Sequence, residues 1–112
     1  MSERGLIVLQ RLTAMVLAPC VIAHVAVIAI AFRDGLTAGE ILGRVQDNVG
    51  WAAFYALFVI AAAVHAPIGL RSVLVEWGAL PRRMVDIVMA AFAVLLLITG
   101  LRAVFAVVWG AP

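Results

Sequence analysis

An all-α integral membrane protein with three spanning helices is the fold class that this sequence predicts, and three observations carry the prediction. Hydrophobic residues make up 67% of the 112 and charged residues only 12%. Mean hydropathy is +1.21, far above the range of soluble globular domains. Charge-free stretches run from Leu12 to Phe32, from Asn48 to Leu70 and from Ile87 to Leu101, and a bilayer core takes about 20 mostly apolar residues per helix. The chain left over is too short for a soluble catalytic domain, so any chemistry takes place in the membrane or on a partner.

Helix I is expected over about 6–32, where Phe32-Arg33-Asp34-Gly35 brings charge and a glycine stop. Arg4 ahead of an apolar run raises the question of a signal peptide, but the run is too long for one and is interrupted by Arg11, so a retained first helix is expected. In the segment 33–49, Thr37 and Glu40 have the spacing of a capping box, and Ile41, Leu42, Val45 and Val49 follow at helical intervals. These residues predict a short helix lying on the membrane face, with a solvated loop as the alternative. Helix II is expected over about 50–77. A turn follows, and Pro81 with Arg82 and Arg83 suits the start of helix III, about 82–109, at the level of the lipid headgroups. The whole of 1–112 reads as one membrane domain without internal repeats.

All eight basic residues are arginine, and a net charge of +2 is too small and scattered for a nucleic-acid surface. The charges speak to topology instead. Arg4 and Arg11 precede or open the first span and Arg71, Arg82 and Arg83 close the second, whereas 33–47 carries two arginines against three acids. The positive-inside rule therefore puts the N-terminus and the second connection on the cytoplasmic side of an inner, cytoplasmic-type membrane. The single cysteine, Cys20, lies in the first apolar run and reads as a small apolar residue.

Both histidines lie inside spans, and an ionisable residue there is costly enough to suggest function. Counting at about 1.5 Å per residue, His24 is about 20 Å beyond Arg11 and His65 about 18 Å before Trp77, which predicts similar depths on antiparallel helices. Neutral imidazole is a good axial ligand for haem iron. At about 100° per residue, Gly69, Ser72 and Glu76 share one helix face with His65. On this reading Gly69 clears room for a flat macrocycle, Pro67 removes a backbone bond and kinks the helix, and Arg71, about 9 Å along the axis, reaches a haem propionate. The alternative is a helix-packing histidine beside a glycine that lets two helices approach. Towards the cytoplasmic edge the polar or aromatic groups are Arg11, Ser72, Glu76 and Trp77, of which Arg11 and Trp77 suit interfacial anchors.

The stretch His65, Gly69, Leu70, Arg71, Glu76 resembles the second-helix signature of succinate dehydrogenase and fumarate reductase membrane anchors: His, three residues, Gly, Ile or Leu, Arg, and an acid eleven residues after the His. Gln10-Arg11-Leu12-Thr13 resembles the start of that family's first helix, and the resemblance extends over nearly the whole chain. It implies a haem b ligand at His65, a quinone-site arginine at Arg11 and the family's acid at Glu76. A quinone needs a donor at each carbonyl and a proton route to water, and Arg11, Ser72, Glu76 and Trp77 are the groups at that edge available to it, Arg11 and Trp77 reading equally well as interfacial anchors. Trp77 falls where the D-like anchor type carries a quinone-binding tyrosine. Ile7 stands where the C-like type carries a serine, and Ser72 where that type has a second histidine, so the resemblance leaves the two types open.

The function expected on these grounds is that of a cytochrome b membrane anchor in a succinate:quinone oxidoreductase. Its cofactors would be haem b and ubiquinone or menaquinone. Its partners would be a flavoprotein subunit, an iron–sulfur subunit and the lipid bilayer. Three helices are few for enclosing a haem, which implies a second anchor chain, or a second copy of this one, in a larger helical bundle. Two rivals remain: a diheme cytochrome b of another respiratory oxidoreductase, favoured if His24 and His65 both bind haem, and a small channel or transporter subunit lined by the histidines and Arg102.

Overall fold

The computed structural model of the chain describes residues 2–35, 37–78 and 80–110, apart from the side chains at 34, 38, 40 and 41. Among these residues the elements are α1 (Glu3–Asp34), α2 (Ala38–Val45), α3 (Val49–Trp77) and α4 (Arg82–Trp109), and there is no strand. Three of them, α1, α3 and α4, are long and apolar enough to cross a membrane, and the chain is a multi-pass membrane protein. The longest dimension is 48 Å, which exceeds a hydrocarbon core of about 30 Å, so the helix ends reach the headgroup region.

Local chemistry sets the ends of the elements. α1 starts three residues before the expected position because the Ser2 side chain caps it, accepting from Gly5 N at 3.1 Å, with Glu3 placing negative charge in the first turn. The segment after α1 does form a short helix, α2, although the Glu40 side chain of the expected capping box and that of Ile41 lie outside the described residues. Asn48 caps α3 by accepting from Trp51 N at 3.2 Å. Pro67, expected to kink this helix, lies fully buried inside an uninterrupted α3. At the far end the Gly78 N–H bonds Leu74 O at 2.9 Å, and a side chain at 78 would stand 2.6 Å from that carbonyl oxygen.

α3 is the central element, packing against α1 on one side and α4 on the other. Small residues make the contact faces: Ala52, Ala61 and Ala63 of α3 are buried, and at Gly100 of α4 an added Cβ would lie 2.5 Å from Val59 Cγ1. With no hydrophobic drive between helices in lipid, such close approach is what allows dispersion contacts to hold them together. The large apolar side chains Met15, Ile22 and Phe32 of α1, and Ile87, Leu95 and Phe105 of α4, point outward. That is the expected arrangement for surfaces meeting lipid or a neighbouring chain. The connection between α1 and α3 is fastened to the end of α4. Asp47, at φ 56, donates its backbone N–H to Val108 O at 2.8 Å, and Gln46 Nε2 donates to Gly110 O at 3.5 Å. An aspartate tolerates this left-handed conformation better than most residues.

Replacing Gly100 with valine forces α3 and α4 apart. Reversible unfolding in mixed micelles should show a loss of about 1–3 kcal/mol, the usual cost of overpacking. Adding Val59→Ala in the same chain should recover much of it.

Candidate functional site

The polar residues of α1 and α3 meet at one end of the bundle. Arg71, only 7% exposed, holds three elements together there. Its Nη2 donates to Glu3 Oε1 at 2.8 Å and its Nη1 to Glu3 Oε2 at 3.3 Å, a fork on one carboxylate, while Nε donates to Asp86 Oδ1 at 2.7 Å. Arg82 Nη1 approaches Glu3 Oε1 at 3.6 Å. The expected partner of Arg71, a haem propionate, would therefore compete with two carboxylates already in place. Reach along the helix suggested that partner, but helix rise says nothing about acids arriving from α1 and α4.

Beside this cluster a pocket of about 200 Å³ is lined by Glu3, Leu6, Ile7, Gln10, Arg11, Ile68, Arg71 and Ser72. It brings together two of the expected quinone residues, Arg11 and Ser72. It leaves out the other two, because Glu76 and Trp77 stand level with the first residues of α1, outside the pocket, and are exposed, Trp77 at 85%. It adds Gln10, whose buried Oε1 has no hydrogen-bond partner among the described residues. Gln10 was legible only as the polar neighbour of Arg11 in an apolar helix, and nothing in the sequence singled it out. The Ser72 hydroxyl donates to Ile68 O at 3.2 Å, which leaves its lone pairs to the pocket.

His65 is half-buried one turn further into the membrane, with Nδ1 3.1 Å from Thr13 Oγ1 and no hydrogen bond to Nε2 from a described residue. Axial ligation of haem needs an imidazole nitrogen with a free lone pair, and a hydrogen bond at the other nitrogen orients the ring for it. Gly69 does not open onto empty space: a Cβ there would meet Gln10 Nε2 at 3.4 Å. The face shared by His65, Gly69 and Ser72 is turned towards α1, with the Gln10 side chain opposite the glycine.

His24 is not level with His65. It packs edge-on against Tyr55 and Phe58, with ring centroids 6.0 and 5.4 Å away, at the side of an apolar cavity of about 400 Å³ that Gly100, Val104 and Val108 also line. Phe58 and His65 are seven residues apart on α3, about 10 Å, so the two histidines of one chain cannot share an iron in this arrangement. The equal-depth expectation failed because Arg11 and Trp77 do not mark the same level. With Gln10 opposite Gly69 and Thr13 opposite His65, Arg11 stands near residue 67, and Trp77 lies about 15 Å beyond it. Among the described residues no three His, Cys, Asp or Glu side chains are grouped to hold a metal ion. Cys20 is free and buried, as its apolar reading implies.

The family profile for the succinate dehydrogenase/fumarate reductase transmembrane subunit matches residues 5–101. No curated protein and no solved structure matches the chain.

The Arg71 cluster orders three substitutions. Arg71→Gln removes the tie between α1, α3 and α4 at once, whereas Glu3→Gln and Asp86→Asn each leave the guanidinium one carboxylate. Thermal melts of the chain in micelles, followed by circular dichroism, should show the largest drop for Arg71→Gln.

Proposed function

The chain belongs to the succinate dehydrogenase/fumarate reductase transmembrane subunits, and on that premise we propose that it is the cytochrome b anchor of a succinate:quinone oxidoreductase. Flavoprotein and iron–sulfur subunits dock at the end where α1 begins and α3 turns into α4. Arg4, Arg82 and Arg83 gather at that end, which by the positive-inside rule is the cytoplasmic side of the inner membrane. A second anchor chain, or a second copy, covers part of the outward apolar surface and supplies the other haem ligand.

The observation that carries the quinone assignment is the pocket between α1 and α3, where Arg11 stands beside an unpaired buried amide oxygen. A quinone carbonyl accepts hydrogen bonds, and its reduced hydroxyl donates them. Arg11 supplies fixed donors to the first and Gln10 Oε1 an acceptor to the second, so the pair suits either oxidation state of ubiquinone or menaquinone. Glu3 and Arg71 line the same pocket on its side towards the helix ends, and this polar side offers protons a route towards the headgroup region. Glu76 and Trp77, outside the pocket, fit the docking surface better than the quinone site. His65 holds haem b through Nε2. When bound, haem b takes and returns single electrons.

The diheme alternative depends on His24, which lines the apolar cavity at another level. Haem per complex, measured in the wild type and in His24→Ala, separates the two: equal content removes His24 as a ligand. The family match lends nothing to the channel or transporter reading.

In the assembled complex His65→Ala should abolish or shift the haem spectrum, and an unchanged spectrum at full occupancy would defeat the assignment. Arg11→Ala should slow quinone reduction roughly 100-fold, the usual effect of losing one donor to developing charge. Reduction of a soluble dye by succinate should stay intact, since dye draws electrons before they reach the membrane. A parallel fall of both activities would make Arg11 an assembly residue.

A further inference from the structure

Thr13 is buried in α1 at 8% exposure, and its hydroxyl has three neighbours: Leu9 O at 2.9 Å, Gln10 O at 3.0 Å and His65 Nδ1 at 3.1 Å. A hydroxyl carries one proton and two lone pairs, and a carbonyl oxygen only accepts. If the proton went to Nδ1, a threonine lone pair would stand against two carbonyl oxygens at 2.9 and 3.0 Å, acceptor facing acceptor. With the proton on the carbonyls, as threonine commonly bonds back along its own helix, every contact is attractive provided that Nδ1 is the donor. A neutral imidazole has one ring proton, so Nε2 then carries the lone pair.

We propose that Thr13 is a positioning residue that fixes His65 as the Nδ1–H tautomer and so presents Nε2 as the metal-binding nitrogen. The step from tautomer to haem iron rests on the haem reading of His65, whereas the tautomer itself does not. A partner accepting from the remote N–H both orients the ring and makes the ligating nitrogen more basic. Such basicity favours ferric iron and lowers the haem potential.

Two measurements test this. In the full-length chain labelled with ¹⁵N-histidine and reconstituted in bicelles, with His65 identified by comparison with His65→Asn, the ¹⁵N shifts report which nitrogen is protonated. Nδ1–H is expected in the wild type and in Thr13→Ser, with a change to predominantly Nε2–H in Thr13→Val and Thr13→Ala. Nε2–H in the wild type, or an unchanged tautomer in both hydroxyl-free variants, overturns the proposal. In the assembled complex, Thr13→Val should raise the haem midpoint potential and weaken haem retention about 10–100-fold, the usual cost of losing such a partner. Thr13→Ser should match the wild type, and an unmoved potential in Thr13→Val overturns the positioning role. Should Thr13→Val not assemble, Thr13→Ala and the tautomer of the free chain decide. Retention of haem by His65→Ala would overturn the haem assignment alone and leave the tautomer result standing.

Discussion

One guanidinium fixes how the helices of this protein sit against one another. Arg71 ends up almost wholly buried near the membrane edge, and a charge there is tolerable only when paired and hydrogen-bonded. Its two partners come from different elements, Glu3 at the start of α1 and Asp86 in the first turns of α4, so satisfying one side chain of α3 sets the level of both neighbours. Once Glu3 is held beside Arg71, antiparallel packing brings Gln10 to Gly69 and Thr13 to His65. The polar pocket and the orientation of the histidine both follow from that register.

The two ends of the bundle have opposite chemistry. At the Arg71 end, ion pairs, an amide and two hydroxyls lie between α1 and α3. At the other end, His24 sits among Tyr55 and Phe58, and α3 and α4 approach closely at Gly100 around an apolar cavity. Under the proposed function this asymmetry has a use: a quinone reduced near the docking side would need polar groups and protons from water there, while the rest of the helix length would have only to hold position in lipid.

Much of this was legible in the sequence, for a physical reason in each case. The three spans were plain because a bilayer forces roughly 20 apolar residues per crossing, and the face joining His65 to Ser72 was plain because 3.6 residues per turn fixes it. What that face meets was hidden. Periodicity puts Gly69 on the His65 face but does not reveal that Gln10 fills the space opposite, and reach along a helix could not foresee that two acids would claim Arg71. Depth failed as a ruler because Trp77 lies level with the start of α1 whereas Arg11 stands more than two turns into it, so distances counted from the two had different origins. Ser2 escaped notice as a cap because a lone serine before Glu3 is a weak signal without the hydrogen bond to Gly5.

The fastening of the α1–α3 connection to the end of α4 bears on how the protein is made. Asp47 takes its left-handed conformation with its N–H on the carbonyl of Val108, a residue synthesised some sixty positions later. When α1 and α3 first enter the bilayer, the segment between them therefore lacks the acceptor that holds it in its final shape. It settles only once α4 is in place, so closure of the bundle at this end waits on the insertion of α4.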